Sequence, residues 1–135
     1  MSNYLDAFGR ALPQLLDGLL ITVVLTLGGA LLAFVIAIVL GLVARFDNII
    51  LRGAARIIIE LFRGTSLVVQ LFFFFFVLPL PPFYTQLNPI FVGVLALGLN
   101  YGAYAAEVVR GSINSVPAGQ WEATTALSMT RTQRM

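Results

Sequence analysis

Two long stretches of this chain, residues 18–44 and residues 64–106, contain no charged side chain. A helix needs about 20 predominantly apolar residues to cross the hydrocarbon core of a bilayer. Only 10% of the 135 residues are charged, whereas ordinary soluble domains contain about 25%. The sequence therefore predicts an all-α membrane protein whose helices span the bilayer.

The positions of the charges and prolines predict three spanning helices. We expect them over residues 18–44, after a polar tail at 1–17, over 57–78 and over 88–106. The apolar stretch 66–78 is too short by itself, roughly 20 Å at 1.5 Å per residue, so the second span has to begin near residue 57. Prolines at 79, 81, 82 and 89 mark the loop that follows, because proline lacks a backbone donor.

Small residues recur at every fourth position on the first and third predicted spans. Such rows place small side chains on one helix face, where a second helix can approach closely. The rows consist of Gly29, Ala33, Ala37 and Gly41 on the first span, and of Gly98, Gly102 and Ala106 on the third. We interpret the first row as a packing face without a role in transport.

The arginines predict the orientation of the spans. Residues 45–63 carry four arginines and the chain after residue 107 carries three, whereas the proline loop carries none. Because arginine-rich segments remain on the cytoplasmic side, we expect residues 45–63 and the chain from residue 107 onward to be cytoplasmic. The N-terminus would then lie outside, in a multi-pass membrane protein.

The absence of Lys, His and Cys from the sequence excludes several kinds of chemistry. Disulfides cannot form, and thiolate and imidazole metal ligands are missing. A Walker A loop needs a lysine, so the chain cannot hydrolyse ATP through that motif. We expect no catalytic residue, metal site or cofactor, and the net charge of +2 gives no reason to expect nucleic acid as a partner.

Polar residues at membrane depth are the candidates for a transport site. Asn100, Tyr104 and Glu107 are spaced at i, i+4 and i+7 on one face of the third predicted span, and Gln70 lies in the second. Unpaired polar groups are costly in hydrocarbon. These four side chains therefore either line a path for a polar or zwitterionic solute or form an interhelical hydrogen-bond network.

The segment 117–130 is predicted to contain a short amphipathic helix outside the membrane. Pro117 is tolerated at a first helical position, and helix-forming residues follow it. Trp121, Ala126 and Met129 are spaced as one apolar stripe. Such a stripe fits the groove of a partner protein, although an ordinary interfacial helix explains the spacing equally well.

Several short motifs follow one another along the chain. They are Arg63-Gly64-Thr65, then Leu67-Val68-Val69-Gln70-Leu71-Phe72, then Gly102-Ala103-Tyr104 with Ala106-Glu107 and Arg110-Gly111, and finally Pro117, Gly119-Gln120 and Glu122-Ala123. In this order they resemble the permease subunits of bacterial ABC importers for polar amino acids. The resemblance covers nearly the whole chain.

The resemblance implies a fold and a set of partners. The three spans and a cytoplasmic coupling helix would form part of the five-helix type I importer permease fold. In that family a segment of pattern E-A-A-x3-G inserts into a cleft of the ATP-binding subunit, and the residues in this region are Gly119, Gln120, Glu122, Ala123 and Ser128. The implied partners are a cytoplasmic ATP-binding subunit, a second permease subunit, either identical or different, an extracytoplasmic solute-binding protein, and the lipid of the bacterial inner membrane.

Three positions depart from the family pattern. Ser66 stands where proline is usual, Thr124 replaces the second alanine of the coupling motif, and Ser128 replaces its glycine. Serine costs more than glycine where the backbone needs φ > 0, so the bend after the coupling helix depends on residue 128. The features that look most like permeases for ectoine and hydroxyectoine are Arg63-Gly64-Thr65-Ser66, the phenylalanine-rich run into Val77-Leu78-Pro79, the segment Leu99-Asn100-Tyr101-Gly102-Ala103-Tyr104, and the missing coupling glycine.

Members of this family continue through two further spans, so we expect the chain to be an N-terminal portion of a permease that does not transport by itself. An alternative from another class is a small membrane anchor or assembly subunit without a solute path. A secondary transporter is not favoured, because no predicted span carries a mid-membrane carboxylate for ion coupling.

Overall fold

The computed structural model describes residues 2–85, 87–130 and 133, with side chains for residues 8, 9, 11–85, 87–130 and 133. Every regular element of this part is a helix, which confirms the predicted all-α fold. The helices are α1 (Ser2–Val43), α2 (Ile49–Gly64), α3 (Leu67–Phe72) with π-helical turns at its end (Phe73–Val77), α4 (Pro89–Asn114) and α5 (Ala118–Ala126).

Within the described residues, two helices are long and apolar enough to cross a membrane, namely Ala11–Val43 within α1, and α4. They contain nearly all of the predicted spans 18–44 and 88–106. The predicted polar tail 1–17 is not a separate segment, because α1 already begins at Ser2 and continues without a break through Pro13.

The predicted second span, 57–78, is not one straight helix. Its residues belong to α2 and to α3 with its π-helical turns, and these two parts meet at an angle of 99°. The break occurs because Thr65 and Ser66 adopt extended backbone, with ψ angles of 143° and 140°. The Ser66 hydroxyl then accepts a hydrogen bond from the backbone nitrogen of Val68 at 3.3 Å, which starts a new helix.

The helix before this break also begins earlier than predicted. The side chain of Asn48 accepts hydrogen bonds from the backbone nitrogens of Ile50, at 2.9 Å, and Leu51, at 3.4 Å. Asparagine is among the strongest N-cap residues because its side-chain oxygen satisfies donors of the first helical turn. α2 therefore starts at Ile49 and includes most of the arginine-bearing connection.

The rows of small residues join α1 to α4. All seven members of the two rows are buried, and a Cβ atom added at Gly98, Gly102 or Gly41 would lie within 3.0 Å of a side chain on the other helix. Small residues let helix backbones approach this closely. The prediction that these rows form faces of close helix packing is confirmed.

The partners along this contact show that α1 and α4 run parallel. Gly93 faces Leu25 near one end of the contact, Gly102 faces Ile36 further along, and Val109 faces Gly41 near the other end. The residue numbers therefore rise together on the two helices. Since parallel helices need a returning connection, the chain between them has to travel back to the end at which the contact begins.

α2, followed by α3 with its π-helical turns, makes this return, since Ala55 and Ile59 of α2 cluster with Ala106 of α4, and Phe62 at the end of α2 accepts a hydrogen bond from Asn100. Val68, Phe75 and Phe76 line one groove together with Pro89 and Val92, which lie at the start of α4. The chain then reaches α4 through the proline-rich loop, and Asn88 caps the helix by accepting a hydrogen bond from the backbone nitrogen of Ile90 at 2.9 Å.

Replacing Gly102 by alanine should weaken the contact between α1 and α4. The added methyl group would lie 2.8 Å from Ile36 and 3.2 Å from the carbonyl oxygen of Ala33, and overpacking of this kind costs about 1–3 kcal/mol. We expect a lower midpoint of thermal unfolding in detergent than for the parent chain.

Gly111 is a matched control for this change, because it lies on the same helix and nothing lies within 4 Å of a Cβ atom added there. Gly111→Ala should leave the unfolding midpoint unchanged or raise it, since alanine favours a helix interior over glycine by about 0.5–1 kcal/mol. Equal midpoints for the two variants would contradict the close contact.

Candidate functional site

Three of the four polar candidates converge on the carboxyl end of α2. The side-chain nitrogen of Gln70 donates to the carbonyl oxygen of Phe62 at 3.0 Å, to that of Thr65 at 3.3 Å and to the Thr65 hydroxyl at 2.7 Å. Asn100, on α4, donates to the same Phe62 carbonyl at 3.1 Å. The hydroxyl of Tyr104 donates to the carbonyl oxygen of the next residue, Arg63, at 3.1 Å.

These contacts cap a helix end. The last four carbonyl groups of a helix have no partner within it, and in a bilayer each unsatisfied group costs several kcal/mol. Here the Thr65 hydroxyl donates to the carbonyl oxygen of Leu61 at 2.9 Å. The three polar candidates donate to the carbonyl oxygens of Phe62 and Arg63. Side chains from α3 and α4 thus allow α2 to end inside the bundle.

Burial separates the capping residues into two kinds. Gln70 and Asn100 are each only 6% exposed, whereas Tyr104 is 46% exposed. Both amide side chains therefore act between helices, as in the hydrogen-bond network considered from the sequence. Tyr104 keeps an accessible ring face, and the guanidinium group of Arg63 lies 5.5 Å from its ring centroid, within range of a cation–π contact.

One atom of this cap has no partner. The side-chain oxygen of Gln70 is buried and accepts no hydrogen bond from the residues that the structure describes. Buried acceptors are rarely left unpaired. The unpaired oxygen marks the break between α2 and α3 as the least satisfied polar position of the described core.

Glu107, the fourth polar candidate, lies one to two turns further along α4 in a charged cleft. Its carboxylate makes a two-point ion pair with Arg110, in which the Arg110 Nε donates to Oε2 at 3.0 Å. The cleft has a volume of about 220 Å³ and is lined by Arg56, Ile59, Glu60, Arg63, Glu107 and Arg110. Glu107 therefore contributes to an ionic cluster rather than to the cap of α2.

Sequence reasoning did not identify two residues of this arrangement, Thr65 and Arg110, as site residues. Thr65 lies within Gly64-Thr65-Ser66, and a cluster of Gly, Thr and Ser between apolar segments is itself a signal for a break in a helix. Arg110 stands three residues after Glu107, a spacing at which opposite charges meet on one helix face.

The predicted coupling segment 117–130 forms a shorter helix than expected. Pro117 is the N-cap rather than the first helical residue, and α5 ends at Ala126. Because the helix ends there, Met129 does not continue the apolar stripe predicted from Trp121 and Ala126. Trp121 and Thr124 are half-buried, whereas the other residues of α5 are exposed, including Gly119, Gln120, Glu122 and Ala123.

α5 lies beside the end of the α1–α4 pair. Trp121 and Thr124 line a cleft of about 510 Å³ whose other wall includes Leu42 and Arg45, at the end of α1 and just after it. One face of α5 is therefore turned toward the parallel helices. The other face, which carries Glu122 and Ala123, remains free for a partner.

Residue 128 adopts the left-handed backbone conformation, in which glycine is the most common residue. Ser128 has a φ of 53°, its backbone nitrogen donates to the carbonyl of Thr125 at 3.0 Å, and that of Met129 donates to the carbonyl of Thr124 at 3.1 Å. This is the Schellman pattern of a helix C-terminus. The bend after α5 is therefore present with serine in place of glycine.

The family described as "Binding-protein-dependent transport system inner membrane component" matches residues 33–135. The chain belongs to this family. The matched region includes all of α2, α3, α4 and α5, and with them every residue of the α2 cap and of the coupling segment.

Three relatives of this inner membrane component are each described as a permease protein of a transport system. A probable amino-acid ABC transporter permease protein, y4tF of Sinorhizobium fredii, is 39% identical over 98% of this chain. The L-cystine transport system permease protein TcyB of Bacillus subtilis is 40% identical over 87% of the chain. The glutamine transport system permease protein GlnP of Escherichia coli is 34% identical over 93% of it.

A solved structure has the same fold. The crystal structure described as that of an amino acid ABC transporter with histidines matches with a TM-score of 0.85 and 30% identity over 96% of this chain. The chain spans 50–58% of the length of these three relatives and 59% of that structure's chain.

Removing both amide donors from the Phe62 carbonyl should destabilise this inner membrane component more than additively. Either Gln70→Leu or Asn100→Leu leaves one donor in place, whereas the double variant leaves none, and a stranded buried acceptor costs about 1–3 kcal/mol. A double-mutant cycle of detergent unfolding should therefore give a coupling free energy of about 1 kcal/mol or more.

The control is a second double-mutant cycle, which combines Gln70→Leu with Tyr104→Phe. The Tyr104 hydroxyl donates to the carbonyl oxygen of Arg63, whereas Gln70 donates to that of Phe62. The unfolding free energies of this pair should add within about 0.5 kcal/mol. Additivity in both cycles would rule out the shared cap.

Ser128→Gly should stabilise the end of α5. A left-handed conformation costs a residue with a Cβ atom about 1–2 kcal/mol, and glycine does not incur this cost. We expect slower hydrogen exchange at the amides of residues 128 and 129, by about fivefold for each 1 kcal/mol. Ser128→Ala is the control, because it removes the hydroxyl and keeps the Cβ, and it should not slow exchange. Equal exchange in the two variants would show that φ at residue 128 is not the cause.

Proposed function

We propose that the chain is part of the transmembrane permease subunit of an ATP-driven importer for polar amino acids. The names of the relatives support this proposal, since they include permeases for amino acids, L-cystine and glutamine. The chain has no lysine, so ATP would be hydrolysed by a separate subunit. The proposed role is therefore transport, with no catalysis by this chain.

The placement of α5 is the observation that carries the proposal. α5 lies at one end of the parallel α1–α4 pair, with Trp121 turned toward the helices and Glu122 exposed on the opposite side. A short rigid helix in this position can be gripped from one side while it contacts the spans with its other side. We propose that Gly119, Gln120, Glu122, Ala123 and Ser128 form the surface that couples to the ATPase.

The solute path is proposed to follow the exposed side of α4. Tyr104 offers an accessible ring and Glu107 a half-exposed carboxylate, and groups of this kind can contact a polar or zwitterionic solute. Gln70 and Asn100 would act indirectly, because both are buried and hold the Phe62 carbonyl. They would keep the end of α2, and thus Arg63, in place beside Tyr104.

The substrate class is proposed to include compatible solutes. The chain differs from the usual family motifs at Ser66, Thr124 and Ser128, and this combination, with the phenylalanine-rich run, supports ectoine or hydroxyectoine as the narrower assignment. Ectoine and an amino acid both carry a carboxylate beside a cationic group, so the same path would suit either.

The proposed topology has three crossings, with the N-terminus outside and residue 107 onward in the cytoplasm. The parallel course of α1 and α4 supports an odd number of crossings, because the intervening chain has to return. The arginines of residues 45–63 support the cytoplasmic assignment of that connection. A second permease subunit and an extracytoplasmic solute-binding protein would complete the importer.

Charge reversal at Glu122 tests the coupling surface in the complete transporter. Glu122→Arg should abolish co-purification of the ATPase subunit and lower solute uptake at least tenfold, because a like charge or a lost ion pair at an interface costs several kcal/mol. Uptake of labelled glutamine and of labelled ectoine into proteoliposomes would be measured together with ATPase binding.

Asp47→Arg is the matched control, because Asp47 is also exposed and acidic but lies in the connection between α1 and α2. It should retain both ATPase binding and uptake. Full uptake with Glu122→Arg would refute the coupling assignment. Intact ATPase binding without uptake of any solute by the parent transporter would favour a membrane anchor without a solute path.

A further inference from the structure

The charged cleft between α2 and α4 contains more charged groups than it pairs. Arg56, Glu60 and Arg63 border it from α2, and Glu107 and Arg110 border it from α4. The pair of Glu107 and Arg110 is the one salt bridge in the part of the chain that the structure describes. The three charged side chains of α2 are exposed and form no ion pair with the described residues.

Arg110 contacts both oxygens of the Glu107 carboxylate. Its Nε donates to Oε2 at 3.0 Å, and its Nη2 donates to Oε1. A two-point pair of this kind fixes the relative orientation of the two groups. The side chains of Arg110 and Glu107 are 30% and 33% exposed, so the pair is open to the cleft.

This pair determines the sign of the charge in the cleft. The three arginines and two glutamates that line the cleft give it a net charge of +1. Without Arg110 the net charge would be zero, and Glu107 would be a free carboxylate. A cleft with walls of low dielectric constant concentrates the field of such charges, and the buried side chain of Ile59 forms part of the wall.

The cleft adjoins the proposed solute path. Arg63 lines the cleft, and its guanidinium group also lies 5.5 Å from the ring centroid of Tyr104. Tyr104, Glu107 and Arg110 follow one another at intervals of three residues, so Arg110 is about 9 Å beyond Tyr104 along the helix axis. This separation is close to the Debye length of about 8 Å at physiological ionic strength. A solute in contact with Tyr104 is therefore within range of the charges of the cleft.

From these observations we propose that Arg110 determines the charge selectivity of the solute path, because it neutralises Glu107 and leaves a net positive cleft beside Tyr104. The inference rests on the proposed path along α4 and narrows its substrate class. A zwitterionic solute has no net charge, and its carboxylate is attracted by the unpaired arginines of α2. A solute with an additional cationic group is repelled by them. The path then selects zwitterionic over cationic amino acids.

A purely structural role of the ion pair makes a different prediction. Opposite charges three residues apart also stabilise a helix, and loss of that contact would lower the amount of folded transporter. It would not change the relative affinity for two solutes that differ only in charge. The ratio of two dissociation constants therefore separates the two roles.

L-Arginine and L-citrulline are a suitable pair of solutes, because citrulline has the length of arginine and a neutral urea group in place of the guanidinium group. Their dissociation constants would be measured by equilibrium dialysis of labelled solute against the complete permease–ATPase complex in detergent. The solute-binding protein is left out, so that its own selectivity does not enter.

We expect the parent complex to bind citrulline more tightly than arginine. A unit charge roughly 10 Å away changes an equilibrium constant by about tenfold at an effective dielectric constant of about 20, and salt reduces this effect. Arg110→Gln should therefore lower the preference for citrulline about fivefold, because it removes one positive charge and frees Glu107 to attract the guanidinium group of arginine.

Arg52→Gln is the matched control. It also removes one positive charge, but Arg52 lies on α2 outside the cleft. The preference for citrulline should stay within about twofold of the parent value, because the field of a more distant charge is screened. An equal loss of preference in Arg52→Gln and Arg110→Gln would overturn the proposal.

The double variant Glu107→Gln with Arg110→Gln tests whether Arg110 acts through Glu107. It keeps the net charge of the cleft at the parent value, so the preference for citrulline should return to within about twofold of the parent. A double variant that behaves like Arg110→Gln would overturn the proposal, as would a parent complex that prefers arginine. Failure of the parent complex to bind arginine, citrulline, glutamine or ectoine would instead contradict the solute path itself, and the inference with it.

Discussion

The close parallel contact between α1 and α4 is the constraint on which the other elements depend. Glycine and alanine rows bring the two backbones so near that a single added Cβ atom at Gly102 would lie 2.8 Å from Ile36. Because the helices are parallel, the chain between them must return the length of the contact. This return has to fit in the 45 residues between Val43 and Pro89, which also contain the arginine-rich connection and the proline loop.

The return produces a second constraint, because it is broken at Thr65 and Ser66. A helix that ends inside a bilayer exposes carbonyl groups that lipid cannot satisfy. Gln70, Asn100 and Tyr104 supply the donors, from α3 and α4. The polar residues that the sequence places at membrane depth thus have a structural reason to be there. The proposed role in a solute path comes in addition to this structural role. Of the three, Tyr104 is the best placed for it, because its side chain has a large exposed surface whereas Gln70 and Asn100 are buried.

Much of this arrangement follows from local pattern, and some of it does not. Charge-free stretches predict the spans within α1 and α4, and the four-residue spacing of small side chains predicts a face of close packing on each, whereas the structure shows that these two faces pack against each other. The break in the second span was missed because apolar residues continue on both sides of it, and because its main support, the bond from Asn100 to Phe62, joins residues 38 positions apart. Asn48 is a recognisable N-cap residue in the sequence. The start of the second span was nevertheless expected near residue 57, because only the length needed to cross the membrane was considered. Ser128 shows the reverse case, in which a departure from a family motif leaves the backbone geometry intact.

The helices beside α5 meet in one buried cluster. Ala44, Ala55, Ile59 and Ala106 join α1, α2 and α4, and Trp121 of α5 lies across a cleft from Leu42, two residues before Ala44. Force from an ATPase on α5 would therefore reach α1 and α4 first. A displacement of α4 would pass to the break at Thr65 and Ser66, because Asn100 and Tyr104 of α4 donate to the carbonyl oxygens of Phe62 and Arg63 just before it. Since Tyr104 donates one of those bonds and also borders the exposed side of α4, a displacement there would change the proposed solute path and the end of α2 together.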